Sequence, residues 1–188
     1  MRKTYSLSIL LSAFFASSPS SAGTGVPLLG LTLGGKFPAI KQCTMNQVGS
    51  DKVMCWIAAP TRGKDGMLGQ INLPNSDTRP SWAAHGSFQV STNGAGDLET
   101  LSVYGADSSK RQEIVNSIGA RFGQSNHEST LANGDLYDSW NKGPVYITLL
   151  CTRRASCNVR FTSDDGNKKE LARIAKVKAK NAARPASP

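Results

Sequence analysis

Few residues in this chain have the type and spacing that catalysis requires. There are two histidines, His85 and His127, and four cysteines, Cys43, Cys55, Cys151 and Cys157. Two histidines exclude a three-histidine zinc site. His127-Glu128 lacks the second histidine of a metalloprotease helix and otherwise reads as a solvated loop residue. His85-Gly86-Ser87 sets an imidazole close to a hydroxyl. A hydrolytic site assembled by the fold around His85 is one reading of that tripeptide, and an ordinary loop histidine is the other. No Gly-x-Ser-x-Gly elbow exists. A cysteine nucleophile would need a free thiolate, which disulfide pairing removes.

Paired carboxylates could support glycoside cleavage. The choices are Asp135 with Asp138, or Asp97 with Glu99. Asp135 follows Asn133-Gly134, and Asp97 sits in a hairpin loop, so both read first as turn residues. Asp164-Asp165-Gly166 lacks the alternating acidic pattern of a calcium loop. Gly94-Ala95-Gly96 lacks the third glycine and the following helix of a dinucleotide site, and no P-loop is present. The expectation is a chain with no metal ligands and no cofactor.

The cysteines fit disulfides. In an oxidising compartment an even count implies pairing, and four cysteines allow three connectivities. Proximity favours Cys43–Cys55 and Cys151–Cys157. The rival is a four-cysteine zinc site, but eleven and five intervening residues do not match the short hooks of structural zinc.

Two basic features suit binding. Arg153 and Arg154 lie between the last two cysteines, where a short staple would pre-organise them to meet carboxylate or phosphate. The rival is a solvated turn. The tail carries Lys168, Lys169, Arg173, Lys176, Lys178, Lys180 and Arg184 against Glu170 alone. Such a helix suits an anionic membrane surface or acidic polymer, though its apolar face is small and lacks Trp or Phe. Here the rival is a solubilising, frayed terminus. The net charge of +9 is therefore local: residues 23–166 hold 13 basic and 12 acidic side chains. That balance does not suit a nucleic-acid groove.

The elements that must position these residues follow from periodicity. Residues 1–22 read as a signal peptide: Arg2 and Lys3, a short apolar stretch, then Ser20-Ser21-Ala22 before the cut. That stretch is too short to span a bilayer, which takes roughly 20 residues, and no later run does so. Residues 23–42 are glycine-rich and predict an extended leading segment. Residues 52–58 and 67–73 predict a hairpin around a turn-rich stretch at 60–66. In the next hairpin Phe88 faces Val103 and Val90 faces Leu101.

A helix follows, with a capping box from Ser109 and Gln112, an Ile114, Val115, Ile118 and Phe122 stripe, and Gly123 as its stop. In the last hairpin one register sets Cys151 opposite Cys157, Leu149 opposite Val159 and Ile147 opposite Phe161. A second helix is expected over 168–179. Trp56 and Trp140 read as core or rim packing. The fold expected is α+β: an antiparallel sheet built from hairpins, one main helix on a face, and a basic C-terminal helix.

The export signal, the glycine-rich 31–35 segment before Cys43, and the 110–123 helix ending Arg121-Phe122-Gly123 resemble small exported bacterial proteins of unknown function. The resemblance implies a periplasmic or secreted setting and no activity. The organisation expected is a signal peptide at 1–22, one disulfide-stapled domain at 23–166 and a basic helical or disordered tail at 167–188. The function expected is a non-enzymatic binding or accessory role in the bacterial envelope. Its partner would be a protein or an anionic envelope polymer, with no nucleic acid and no transmembrane segment in the mature chain. The alternative is a small exported hydrolase that includes His85.

Overall fold

A computed structural model describes residues 25–50, 52–74, 79–153 and 156–182. The strands are β1 (Val26–Leu28), β2 (Leu31–Leu33), β3 (Cys55–Trp56), β4 (Thr61–Gly63), β5 (Gly66–Asn72), β6 (Ser87–Thr92), β7 (Leu98–Asp107), β8 (His127–Thr130), β9 (Leu136–Lys142), β10 (Val145–Cys151) and β11 (Ser156–Ser163). Helix α1 (Arg111–Phe122) connects β7 to β8, and α2 (Asp164–Ala182) follows β11 without a break. The predicted leader at 1–22 lies outside the described residues, as do Arg154 and Arg184.

Alternation of apolar residues builds one antiparallel sheet in the order β3-β5-β6-β7-β11-β10-β9-β8, with β4 folded back on β5. Side chains on one face of a strand recur every second residue, so registers align them across strands. One row runs Val90, Leu101, Phe161, Ile147, Trp140; the next runs Phe88, Val103, Val159, Leu149, then Asp138 and Glu128. Helix α1 covers this face with Ile114 and Ile118. The β1–β2 hairpin adds Leu28, Leu31 and Leu33, and the short 3-10 turn Ser81–Ala83 adds Trp82. The result is an antiparallel sheet with two helices, broadly α+β.

The disulfides are Cys43–Cys55 and Cys151–Cys157. Cys151 stands opposite Cys157, with Leu149 against Val159 and Ile147 against Phe161, as the apolar alternation requires. Phe88 stands against Val103 and Val90 against Leu101. Trp56 and Trp140 are buried in the core.

Four expectations need correction. The helix is not capped by Ser109: a 3-10 turn (Ser108–Lys110) precedes α1, and the Asp107 carboxylate accepts from the Ser109 amide at 2.9 Å. Helix α2 runs from Asp164 to Ala182, longer at both ends than the 168–179 expected. The turn-rich 60–66 stretch contains β4, paired through Arg62 and Met67. The polar stretch holding His127 is strand β8, not a loop.

Candidate functional site

The stapled tip is held against its neighbours through Thr152 and Arg153. The Thr152 amide donates to the Ser156 carbonyl at 2.9 Å across the bridged pair. The Arg153 amide donates to Asp135 Oδ1 at 3.2 Å. The Arg153 guanidinium lies in the space a side chain at Gly134 would fill, over the turn that joins β8 to β9. Arg153 is thus exposed yet folded against the neighbouring hairpin. Arg154 lies outside the described residues.

The basic helix is split into two halves by its partners. Its first turns are tied down. Lys168 pairs with Asp164 at 2.6 Å, Lys169 pairs with Glu99 on β7, and Arg173 pairs with Glu170 at 2.7 Å. The Asp164 carboxylate holds the Lys168 ammonium above its ordinary range, and Glu99 does the same for Lys169. The Arg173 guanidinium holds the Glu170 carboxyl below its ordinary range. Residues 175–180 are exposed on all sides of the helix. Lys176, Lys178 and Lys180 make no ion pair among the described residues. At 3.6 residues per turn, Lys169, Arg173, Lys176 and Lys180 share one stripe. Leu171, Ile174 and Ala175 lie on the other side.

Where α2 leaves the sheet it flanks the outer, polar face. A groove of about 360 Å³ is lined by Tyr137, Tyr146, Thr148 and Arg160 from the sheet and by Leu171 and Ile174 from α2. A shallower hollow of about 510 Å³ continues past Arg160 over Gln89, Ser91, Ser102 and Tyr104. Arg160 is exposed and lines both. Tyr137 and Tyr146 share a hydrogen bond of 3.2 Å, and burial pushes the Tyr137 phenol up to about 12. The face therefore offers hydroxyls, amides and one exposed guanidinium. Arg160 alternates with Val159 and Phe161 along β11, which puts it on this face.

The acid–base candidates do not converge. His85 is exposed before β6, and none of the described hydrogen bonds or ion pairs reaches it from a carboxylate. His127 is exposed on β8, its ring 6.2 Å from that of Tyr137. Asp97 accepts from Asn93 and pairs with Lys36 at 2.8 Å, which holds its carboxyl below the usual range; it closes the β6–β7 turn. Asp135 closes the β8–β9 turn with Asn133.

Asp138 is the exception. It is buried on the core face, and Arg111 Nη2 donates to it at 2.8 Å and to Glu128 at 2.9 Å. Burial pushes the Asp138 carboxyl up, and the adjacent guanidinium opposes that. The trio ties the first turn of α1 to β8 and β9. With 1% exposure, Asp138 offers no oxygen to a substrate.

Among the described residues no three His, Cys, Asp or Glu side chains gather as a metal site would require, and no helix is long and apolar enough to cross a membrane. The two disulfides fit an oxidising, extracytoplasmic compartment. Comparison of the chain with protein-family models, with curated proteins and with solved structures finds no match.

Proposed function

We propose that the chain is an exported, non-enzymatic binding or accessory protein of the bacterial envelope. In this reading the leader at 1–22 is removed, and the mature protein contacts an anionic envelope polymer or an acidic protein surface, in the periplasm or after secretion. The observation that carries the reading is the outer half of α2. Its lysines Lys176, Lys178 and Lys180 project into solvent without acidic partners among the described residues, while the inner half is anchored by Lys169 to Glu99. A charged helix held at one end keeps its cations at a fixed spacing, which lowers the ordering cost of meeting an acidic chain. Exposed charges attract over roughly a Debye length of about 8–10 Å at physiological salt. Arg160 adds a separate cation on the sheet, in the groove that Glu170, Leu171 and Ile174 of α2 line.

The test is retention of the mature chain on immobilised polyglutamate during a salt gradient. Lys176→Gln/Lys178→Gln/Lys180→Gln is expected to elute at clearly lower salt than the parent, and Arg153→Ala at nearly the same salt. Equal elution of the triple variant and the parent contradicts the reading. Earlier elution of Arg153→Ala alone would move the site to the stapled tip.

A further inference from the structure

A second hollow lies on the opposite face of the sheet, away from α2. It encloses about 360 Å³ between the β1–β2 turn, α1 and the 3-10 turn at Trp82. Its walls are mostly hydrocarbon: Leu28, Leu29, Trp82, Ile118, Phe122 and Phe161 line it. Phe122 and Phe161 stand 6.4 Å apart, centroid to centroid, in a tilted pair. Ligand sites are commonly apolar hollows of about this size with a few placed polar groups.

Two side chains of the lining carry polar groups. The first is Arg121, exposed on the last turn of α1 and lining the cavity. Its Cζ lies 5.1 Å from the Phe122 ring centre, and its Nη2 donates to the Pro27 carbonyl on β1. Arg121 thus bridges the two elements that frame the opening. A guanidinium has five N–H donors, and the others find no acceptor among the described residues. The second is Trp82, whose side chain lines the cavity. Trp82 is 5% exposed, and its Nε1 is buried with no hydrogen-bond partner among the described residues. A buried donor left unpaired carries its full desolvation penalty, so such groups are rare.

The backbone at the rim carries a third signal. Leu29 has φ of 51°, the only non-glycine residue with positive φ among those described, and it precedes Gly30 at φ 81°. That pair of angles is the tight hairpin turn usually given to Asn-Gly. A leucine there is strained, and strain of this kind gathers at ligand clamps. The half-buried Leu29 side chain lines the hollow.

We propose that this cavity binds a small apolar monocarboxylic acid, with its hydrocarbon body between α1 and the β1–β2 turn and its carboxylate on Arg121. The apolar walls select the body. The guanidinium at the opening selects an anionic, two-oxygen head. At roughly 30 Å³ per small-molecule unit the space holds on the order of a dozen heavy atoms, so a medium-length chain or a single substituted ring is the right scale. This site is independent of the lysines of α2.

The experiment is calorimetric titration of the mature protein with decanoate, and with decanol as the neutral control. Decanoate is expected to bind one site, and decanol at least about tenfold more weakly. Arg121→Gln should weaken decanoate by about tenfold, the scale of one lost charge-assisted hydrogen bond. Ser117→Phe, which fills the cavity from α1, should abolish binding. If Ser117→Phe does not fold, the Trp82 indole N–H resonance of the parent protein serves instead, and it should shift on adding decanoate. Absence of decanoate binding, equal binding of decanol, an unaffected Arg121→Gln, undiminished binding by a folded Ser117→Phe, or an unmoved Trp82 resonance would each overturn the proposal.

Discussion

Arg111 Nη2 stands 2.8 Å from Asp138 Oδ2, in a sheet row that is apolar from Phe88 to Leu149. The pair joins the first residue of α1 to the middle of β9. Removing the guanidinium leaves a carboxyl buried without a counter-charge, which costs far more than the pair itself contributes. Arg111→Gln is expected to lose on the order of 2–3 kcal/mol near neutral pH. That is below the cost for a fully buried pair, because Arg111 keeps 20% of its side chain exposed.

The same pair sets a pH dependence. Burial already pushes the Asp138 carboxyl up, and without Arg111 nothing opposes that push. In the variant the folded state then holds a proton that the unfolded state, with its ordinary value of about 3.9, has released. That proton stabilises the folded variant at low pH, and the benefit is lost as pH rises through the folded value. The penalty of Arg111→Gln should therefore be smaller near pH 4 than near pH 7. Urea midpoints of parent and variant at both pH values measure it; a penalty that grows on acidification would contradict the assignment.

Trp140 links the same strand to the other end of α1. It is fully buried, and its Nε1 donates to the Gly123 carbonyl at 3.0 Å. Trp140→Phe keeps an aromatic ring but strands a helix-terminal carbonyl and opens a gap. An expected loss of about 2–3 kcal/mol combines those two costs. A change in urea midpoint within error of zero would show that the bond carries no weight.

These two ties mark where the sequence was opaque. The strands β6, β7, β10 and β11 alternate apolar and polar residues, so their register could be read directly. Strand β8 is His-Glu-Ser-Thr, with no apolar position, and β9 buries Asp138 and Ser139 beside Trp140. Periodicity finds a strand only when its inward side chains are apolar. Here the inward positions are an acid satisfied by Arg111 and a tryptophan satisfied by Gly123. Both partners lie far off in sequence, so no local pattern announces them. The cavity beside Arg121 and Trp82 was hidden for the same reason: its walls come from four separate stretches of chain. The basic helix, by contrast, is local, and its charge was visible in composition alone.

The stapled hairpin gives a test of local stability. The Cys151–Cys157 bridge spans 6 positions and Cys43–Cys55 spans 12. Loop-closure entropy grows slowly with length, so each is expected to contribute about 2–3 kcal/mol, the longer loop slightly more. Cys151→Ala/Cys157→Ala and Cys43→Ala/Cys55→Ala double variants, compared by urea unfolding, check the size and the order.

Gly134 sits at φ 80° beneath the Arg153 guanidinium. A methyl group there meets both a disfavoured backbone angle and an occupied space. Gly134→Ala is expected to cost on the order of 1–2 kcal/mol and to release Arg153 from the β8–β9 turn. Unchanged stability, with no shift in the Arg153 amide resonance, would contradict that packing.

The central claim is that the exposed basic helix meets an anionic partner. Amide chemical-shift mapping of the mature protein titrated with polyglutamate tests it most directly. The account predicts salt-sensitive shifts concentrated in residues 169–182 and around Arg160, with the 152–153 and 134–135 amides still. Shifts confined to the stapled tip, or none at low salt, would contradict it.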